Sequence, residues 1–288
     1  MLLLFLVALG VVSYLGLFHI APYAIIQPYR APPTSLEVPD SIQMQNITFQ
    51  SHDNLKLQAL SAYAPHQPVR GVMILVHGIG SCKEHMNSLA IGLAAQGIAC
   101  FWADGRAQGQ SEGKYCTYGY FEKQDIQALY QVAQKSYPDV PIGIWGNSLG
   151  GAIALQALEL EEGLAFGIIQ STFTDLDQIV YDYQKRYTFG VGAHWATRIA
   201  LREAGEIAGF PPAAVCPIES ARQIEQPVLI AHGDADKNIS VEYGKQLYET
   251  LASEDKELVI VAGGGHNNLG NPAYWERTFA FIDKQLLR

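Results

Sequence analysis

The sequence predicts an α/β fold, a mostly parallel central sheet with helices on both faces and a cap inserted late in the chain. Three observations lead there. Short apolar runs such as Val72-Met73-Ile74-Leu75-Val76 are bounded by glycines or polar turns, as strands buried on both faces are. Helix-length stretches alternate with these runs, the pattern of successive βα units. The residues able to do chemistry fall just after the strands, where the carboxyl edge of a parallel sheet lies.

The chain has 288 residues, 49% of them hydrophobic and 16% charged, enough for one large domain with an enclosed core plus an appendage. It contains no internal repeat and no Pro/Ser/Gly-rich linker in its middle. The formal net charge is −9, and no basic stripe exists to displace counterions, which excludes a nucleic-acid partner. Cys82, Cys100, Cys116 and Cys216 form no CxxC pair and have no zinc-finger histidine spacing. Cys100, inside an apolar run, reads as a buried small hydrophobe. With no G-x-G-x-x-G after the first buried strand either, neither cofactor nor metal is expected.

Taken in order, the first 26 residues, MLLLFLVALGVVSYLGLFHIAPYAII, contain no Asp, Glu, Lys or Arg. About 20 apolar residues in a helix span a bilayer core, so residues 1–30 are expected to be a single-pass membrane anchor and the start of a linker, ended by Pro22, Pro28 and Pro32-Pro33. A cleaved secretory signal is the alternative, although no Lys or Arg precedes Arg30 and the apolar stretch is long for one. Arg30 leans the domain towards the cytoplasmic side.

The main α/β domain is expected over residues 38–288. Residues 42–49 and 55–64 read as a hairpin around Ser51-His52-Asp53-Asn54. Strands are expected at 72–76, 99–103, 142–145, 166–170, 228–231 and 258–261. Helices are expected at 84–96, closed by Gly97, and at 121–136, 149–160, 241–251 and 274–287. Residues 173–226 fit neither pattern and read as a long irregular lid rich in aromatics.

Gly146-Asn147-Ser148-Leu149-Gly150 fits G-x-S-x-G between a predicted strand and a predicted helix. That context makes Ser148 the candidate nucleophile, held on a sharp turn with a helix N-terminus behind it. The bland alternative is an N-cap serine. Here the chain resembles the α/β-hydrolase superfamily, and within it serine esterases, acylglycerol lipases and serine-aminopeptidase-like members. Three further segments support the resemblance. His77-Gly78-Ile79-Gly80 is similar to the family's oxyanion loop. Asp104-Gly105-Arg106-Ala107-Gln108-Gly109-Gln110-Ser111 is similar to its D-x-R-G-x-G-x-S turn, although Ala107 and Gln108 stand where Gly and His are usual. His232-Gly233-Asp234-Ala235-Asp236 is similar to the segment with its acid.

A serine needs an adjacent base. His266, in Gly263-Gly264-Gly265-His266-Asn267 after the last strand, has the position and chain order expected of that base. Asp236 is the expected acid, with Asp175 as the other position the family uses and Asp234 as a brace for the turn. The backbone N–H groups of Leu149 and Ile79 are the expected oxyanion donors. His77 is expected to shape the oxyanion loop. The resemblance implies a Ser-His-Asp hydrolase of carboxylic esters, of acyl or lipid type given the apolar N-terminus, acting on a small-molecule ester substrate. An amidase or aminopeptidase with the same triad is the alternative within enzymes. A non-catalytic membrane-bound interaction protein on the same fold is the alternative outside them.

Overall fold

A computed structural model describes residues 15–266 and 268–287. The first 14 residues, about half of the expected anchor segment, lie outside the described ones. No helix among the described residues is long and apolar enough to cross a membrane.

Eight strands form one sheet in the order β1-β2-β4-β3-β5-β6-β7-β8. They are β1 (Gln43–Gln50), β2 (Lys56–Tyr63), β3 (Gly71–Val76), β4 (Ile98–Ala103), β5 (Ile142–Asn147), β6 (Leu164–Gln170), β7 (Val228–Gly233) and β8 (Lys256–Val261). β1 and β2 make the expected antiparallel hairpin, and β2 also runs antiparallel to β4. Every other pairing is parallel. The central strands explain the continuous apolar runs: all six residues of β3 and of β7 are buried. The edge strand β1 is instead mostly exposed, with only Phe49 of its sequence QMQNITFQ buried and Met44 and Ile47 half-buried.

A short π-helical turn, Gly16–Ile20, leads into α1 (Ala21–Ile26), whose second residue is Pro22, at a position where a missing N–H costs no helix bond. α2 (Asn87–Ala94) follows a 3₁₀ turn at Lys83–Met86, so the expected helix over 84–96 is shorter and opens tightly wound. α3 (Glu122–Ser136), α4 (Leu149–Leu160), α8 (Val241–Thr250) and α9 (Pro272–Leu286) lie where the periodicity places them, to within a few residues. The two faces of the sheet hold separate apolar layers. One, containing Ile74, Ile144 and Ile153, lies under α3 and α4; the other, containing Trp102, Trp145 and Phe281, lies under α2 and α9.

The stretch expected to be an irregular lid is helical. It folds as α5 (Leu176–Tyr187), α6 (His194–Ala208), a 3₁₀ turn at Pro212–Ala214 and α7 (Pro217–Ala221). Leu176 and Ile179 on α5, and Thr197, Ala200, Leu201 and Ala204 on α6, are buried at three- and four-residue spacing. Phe189 and Gly190, both with positive φ, turn the chain between these two helices. All four cysteines are free thiols, and Cys82, Cys100 and Cys116 are buried.

Candidate active site

Three strand ends at one edge of the sheet supply the site. Ser148 sits between β5 and α4 with φ 55° and ψ −122°, a sparsely populated backbone conformation for a residue with a side chain. The surroundings over-determine it: its N–H donates to the Gln170 carbonyl (2.8 Å) and its carbonyl accepts from the Thr172 hydroxyl (2.7 Å). The turn is so tight that a Cβ at Gly150 would lie 2.1 Å from the Val76 carbonyl oxygen, so only glycine fits there. The Ser148 side chain makes no helix-capping bond, which removes the N-cap reading. Its hydroxyl lies instead 2.9 Å from His266 Nε2.

His266 follows β8, and its Nδ1 lies 2.7 Å from Asp236 Oδ2. Asp236 stands in the turn after β7, its other oxygen accepting from the N–H groups of Asn238 (2.7 Å) and Ile239 (3.0 Å). Ser148, His266 and Asp236 thus form one hydrogen-bonded chain, drawn from segments up to 118 residues apart. The acid turn and the histidine loop are laced together. Gly263 N–H donates to Asp234 (2.7 Å) and Ala235 N–H to the Gly264 carbonyl (3.0 Å), so Asp234 is the brace. Asp175 is occupied elsewhere, capping α5 through Gln178 N–H (2.8 Å).

Burial by itself pushes the Asp236 carboxyl up, but bonds from His232, from His266 and from the Ile239 and Asn238 backbone outweigh it and hold the group well below the usual carboxylate range. His232 is a participant the sequence reading left without a role. Fully buried, it places Nε2 3.0 Å from the Ile239 carbonyl and 3.4 Å from Asp236 Oδ2, gripping both ends of the acid turn. Its Nδ1 has no partner and faces the place where a Gly244 side chain would begin. The available signal was its position, four residues before the acid in the same quoted segment.

The loop expected to hold the oxyanion donors follows β3. Burial pushes His77 below its ordinary pKa, so the imidazole is neutral. Gly105 N–H donates to its Nε2 (3.1 Å), which leaves the proton on Nδ1 to be donated to the Gly78 carbonyl (2.8 Å). In a trans peptide this turns the Ile79 N–H the opposite way. Ile79 and Leu149, the first residue of α4, both line the cavity that opens on Ser148. Gln108, one of the two departures from the family turn, accepts from Gly80 N–H (2.8 Å) and so pins this loop. The other, Ala107, has φ 62°, the conformation that makes glycine usual there. Replacing Gln108 by alanine leaves the half-buried Gly80 N–H unpaired in the loop. In steady-state ester hydrolysis, Gln108→Ala is expected to lower kcat about tenfold with little change in KM, less than the ~10²–10³ lost with an oxyanion donor itself.

An imidazole in this position can take the Ser148 proton as the hydroxyl attacks a carbonyl, and the carboxylate behind it steadies the imidazolium that results. Two recesses meet at Ser148. One, of about 390 Å³, is apolar and lined from α1, α5 and α6, with Phe173 and Ile239 beside them. The other is bordered by Ser81, His85, Asn147, Asn238 and His266. A group of potential metal ligands among the described residues, His52, Asp53 and Asp125, already holds a cation: the Arg106 guanidinium reaches both carboxylates, Asp125 at 2.7 Å through each of two nitrogens.

The family described as "Serine aminopeptidase, S33" matches residues 67–200 and 217–273. Human "Protein ABHD12B" is 28% identical over 211 residues, which covers 69% of this chain and 56% of that protein, so the chain spans about half the length of this relative. "Monoacylglycerol lipase" of Mycolicibacterium smegmatis is 23% identical over 242 residues, covering 73% of this chain and 86% of that protein. Among solved structures, the Pyrococcus furiosus esterase Pf2001 is alike in fold, with a TM-score of 0.73 at 22% identity over 90% of this chain and 99% of that one.

Proposed function

The chain belongs to the serine aminopeptidase S33 family and has the α/β-hydrolase fold, and from that premise we propose that it hydrolyses carboxylic esters of acyl or lipid type. Ser148 Oγ attacks the ester carbonyl while His266 takes its proton, and the N–H groups of Leu149 and Ile79 receive the developing oxyanion. His266 then returns the proton to the departing alcohol, leaving an acyl group on Ser148. Water, deprotonated by His266, attacks that acyl-enzyme and releases the acid and the free serine. Asp236 holds the imidazole in the required tautomer throughout.

The observation that carries the ester reading is the apolar cavity at the nucleophile. No charged side chain lines it among the described residues. An aminoacyl substrate would bring an ammonium group to this region, and a buried ammonium needs a carboxylate partner. An acyl chain needs only apolar surface. The opposite recess, with Ser81, His85, Asn147 and Asn238, suits a small polar alcohol as leaving group. The similarity to a monoacylglycerol lipase is in keeping with both recesses.

The deciding experiment compares p-nitrophenyl acyl esters of rising chain length with aminoacyl p-nitroanilides. Labelling by a fluorophosphonate probe and a kcat/KM for medium-chain esters at least about a hundredfold above any aminoacyl amide are expected. Preferred cleavage of the amides would overturn the assignment.

The apolar run that precedes α1, without Asp, Glu, Lys or Arg, supports a further reading, that the chain is held at a membrane by its N-terminus. Arg30 leans the catalytic domain to the cytoplasmic face. Retention in the membrane pellet after alkaline carbonate extraction is expected; release into the supernatant would exclude a spanning segment.

A further inference from the structure

The acyl cavity has a wall that comes neither from the sheet nor from the cap. Leu17, Ala21, Ala24 and Ile25, in the turn and helix that close the apolar N-terminal run, line the same space as Ser148. Their spacing puts them on one helical face. This wall is fastened to the domain. The Tyr118 hydroxyl donates to the Ile25 carbonyl (2.6 Å) and Cys116 N–H to the Ile26 carbonyl (2.8 Å), while Ile26 itself is fully buried. A few residues on, the Arg30 guanidinium donates to the carbonyls of Gly109 (3.2 Å), Ser111 (2.7 Å) and Gly113 (2.7 Å). Helix α1 packs against cap helix α6, and α6 presents Ala196, Thr197 and Ala200 to the cavity. Both helices therefore show small side chains where they border the space leading to the nucleophile.

Resting on the ester-hydrolase reading, we propose that α1 determines which acyl chains the enzyme accepts. Ala21 and Ala24 leave room for a long chain to lie along α1 and α6, and a larger side chain at either position shortens the chain that fits. Each methylene that loses its buried place forfeits about a fourfold gain in transition-state binding. A segment whose composition suggests only tethering thus becomes part of substrate selection.

The test uses the full chain in detergent, with active enzyme counted by fluorophosphonate titration. The quantity read is the ratio of kcat/KM for p-nitrophenyl decanoate to that for p-nitrophenyl butyrate. Ala24→Leu and Ala24→Trp are each expected to lower this ratio at least about tenfold, the loss of roughly two methylenes of burial. Tyr23→Ala, on the same helix, exposed and not bordering the cavity, is expected to change it by no more than about twofold. Ala21→Leu carries the same expectation as the Ala24 pair and serves if neither of them yields titratable enzyme. A ratio unchanged in the variants that do titrate overturns the proposal. A wild-type chain that is neither labelled nor active on any ester would overturn the ester-hydrolase reading instead, so the two failures are distinct.

Discussion

Ser148→Ala is expected to abolish fluorophosphonate labelling and to reduce kcat for ester hydrolysis by about a millionfold, to the residue of catalysis that substrate binding and oxyanion donors supply alone. The size follows from the arrangement of the site. The Ser148 hydroxyl, 2.9 Å from His266 Nε2, is the atom to which the imidazole and its carboxylate are directed, so its loss idles all three groups together. Effects of this kind are not additive: a Ser148→Ala, His266→Ala double variant should be scarcely slower than either single one. Circular dichroism and thermal melting would show that the variant is folded. Persistent labelling of the folded alanine variant would remove Ser148 from its proposed role.

Asp236→Asn is expected to lower kcat by about 10⁴, with the site geometry intact. The carboxylate accepts at 2.7 Å from His266 Nδ1, which leaves Nε2 free to accept the serine proton. An asparagine amide can present a donor there, favouring the wrong tautomer. The substitution also has a signature away from catalysis. The folded-state pKa of Asp236 is depressed, so its ionised form contributes stability that is fully present above the unfolded value of about 3.9 and is lost as pH falls through and below it. Melting temperature should therefore fall less steeply between about pH 4 and pH 2 in Asp236→Asn than in the wild type. An unchanged kcat would exclude Asp236 as the acid; equally steep acid melting would exclude the depressed pKa.

How much of this the sequence could show depended on where the information was local. β3 and β7 announce themselves because both their faces are covered and, His232 apart, every residue is apolar or small. The strand-turn-helix context of Gly146-Asn147-Ser148-Leu149-Gly150 is likewise local. The cap was harder. On α5 the face towards the cavity includes Tyr183 and Gln184 as well as Ile179 and Val180, and on α6 it includes Thr197, so the apolar period is diluted by polar atoms. Gly190 and Gly192, with Phe189, read as loop punctuation, yet they mark only the bend between two helices. His232 was hidden for a different reason: its partners, the Ile239 carbonyl and the Asp236 side chain, are chosen by the turn it helps to form. The docking of α1 could not be read at all. Ile25 and Ile26 are as suited to a lipid environment as to the core, and only the tertiary bonds to Cys116 and Tyr118 decide between them.

The left-handed backbone at Ser148 sets durability against reactivity. A conformation of this kind costs on the order of 1–3 kcal/mol for a residue with a side chain and almost nothing for glycine. Drift to glycine at this corner would relax the scaffold and silence it in the same step, so selection on thermal robustness alone would erode the chemistry. A heat-hardened descendant of this chain that has fallen inert should be inspected at this corner first.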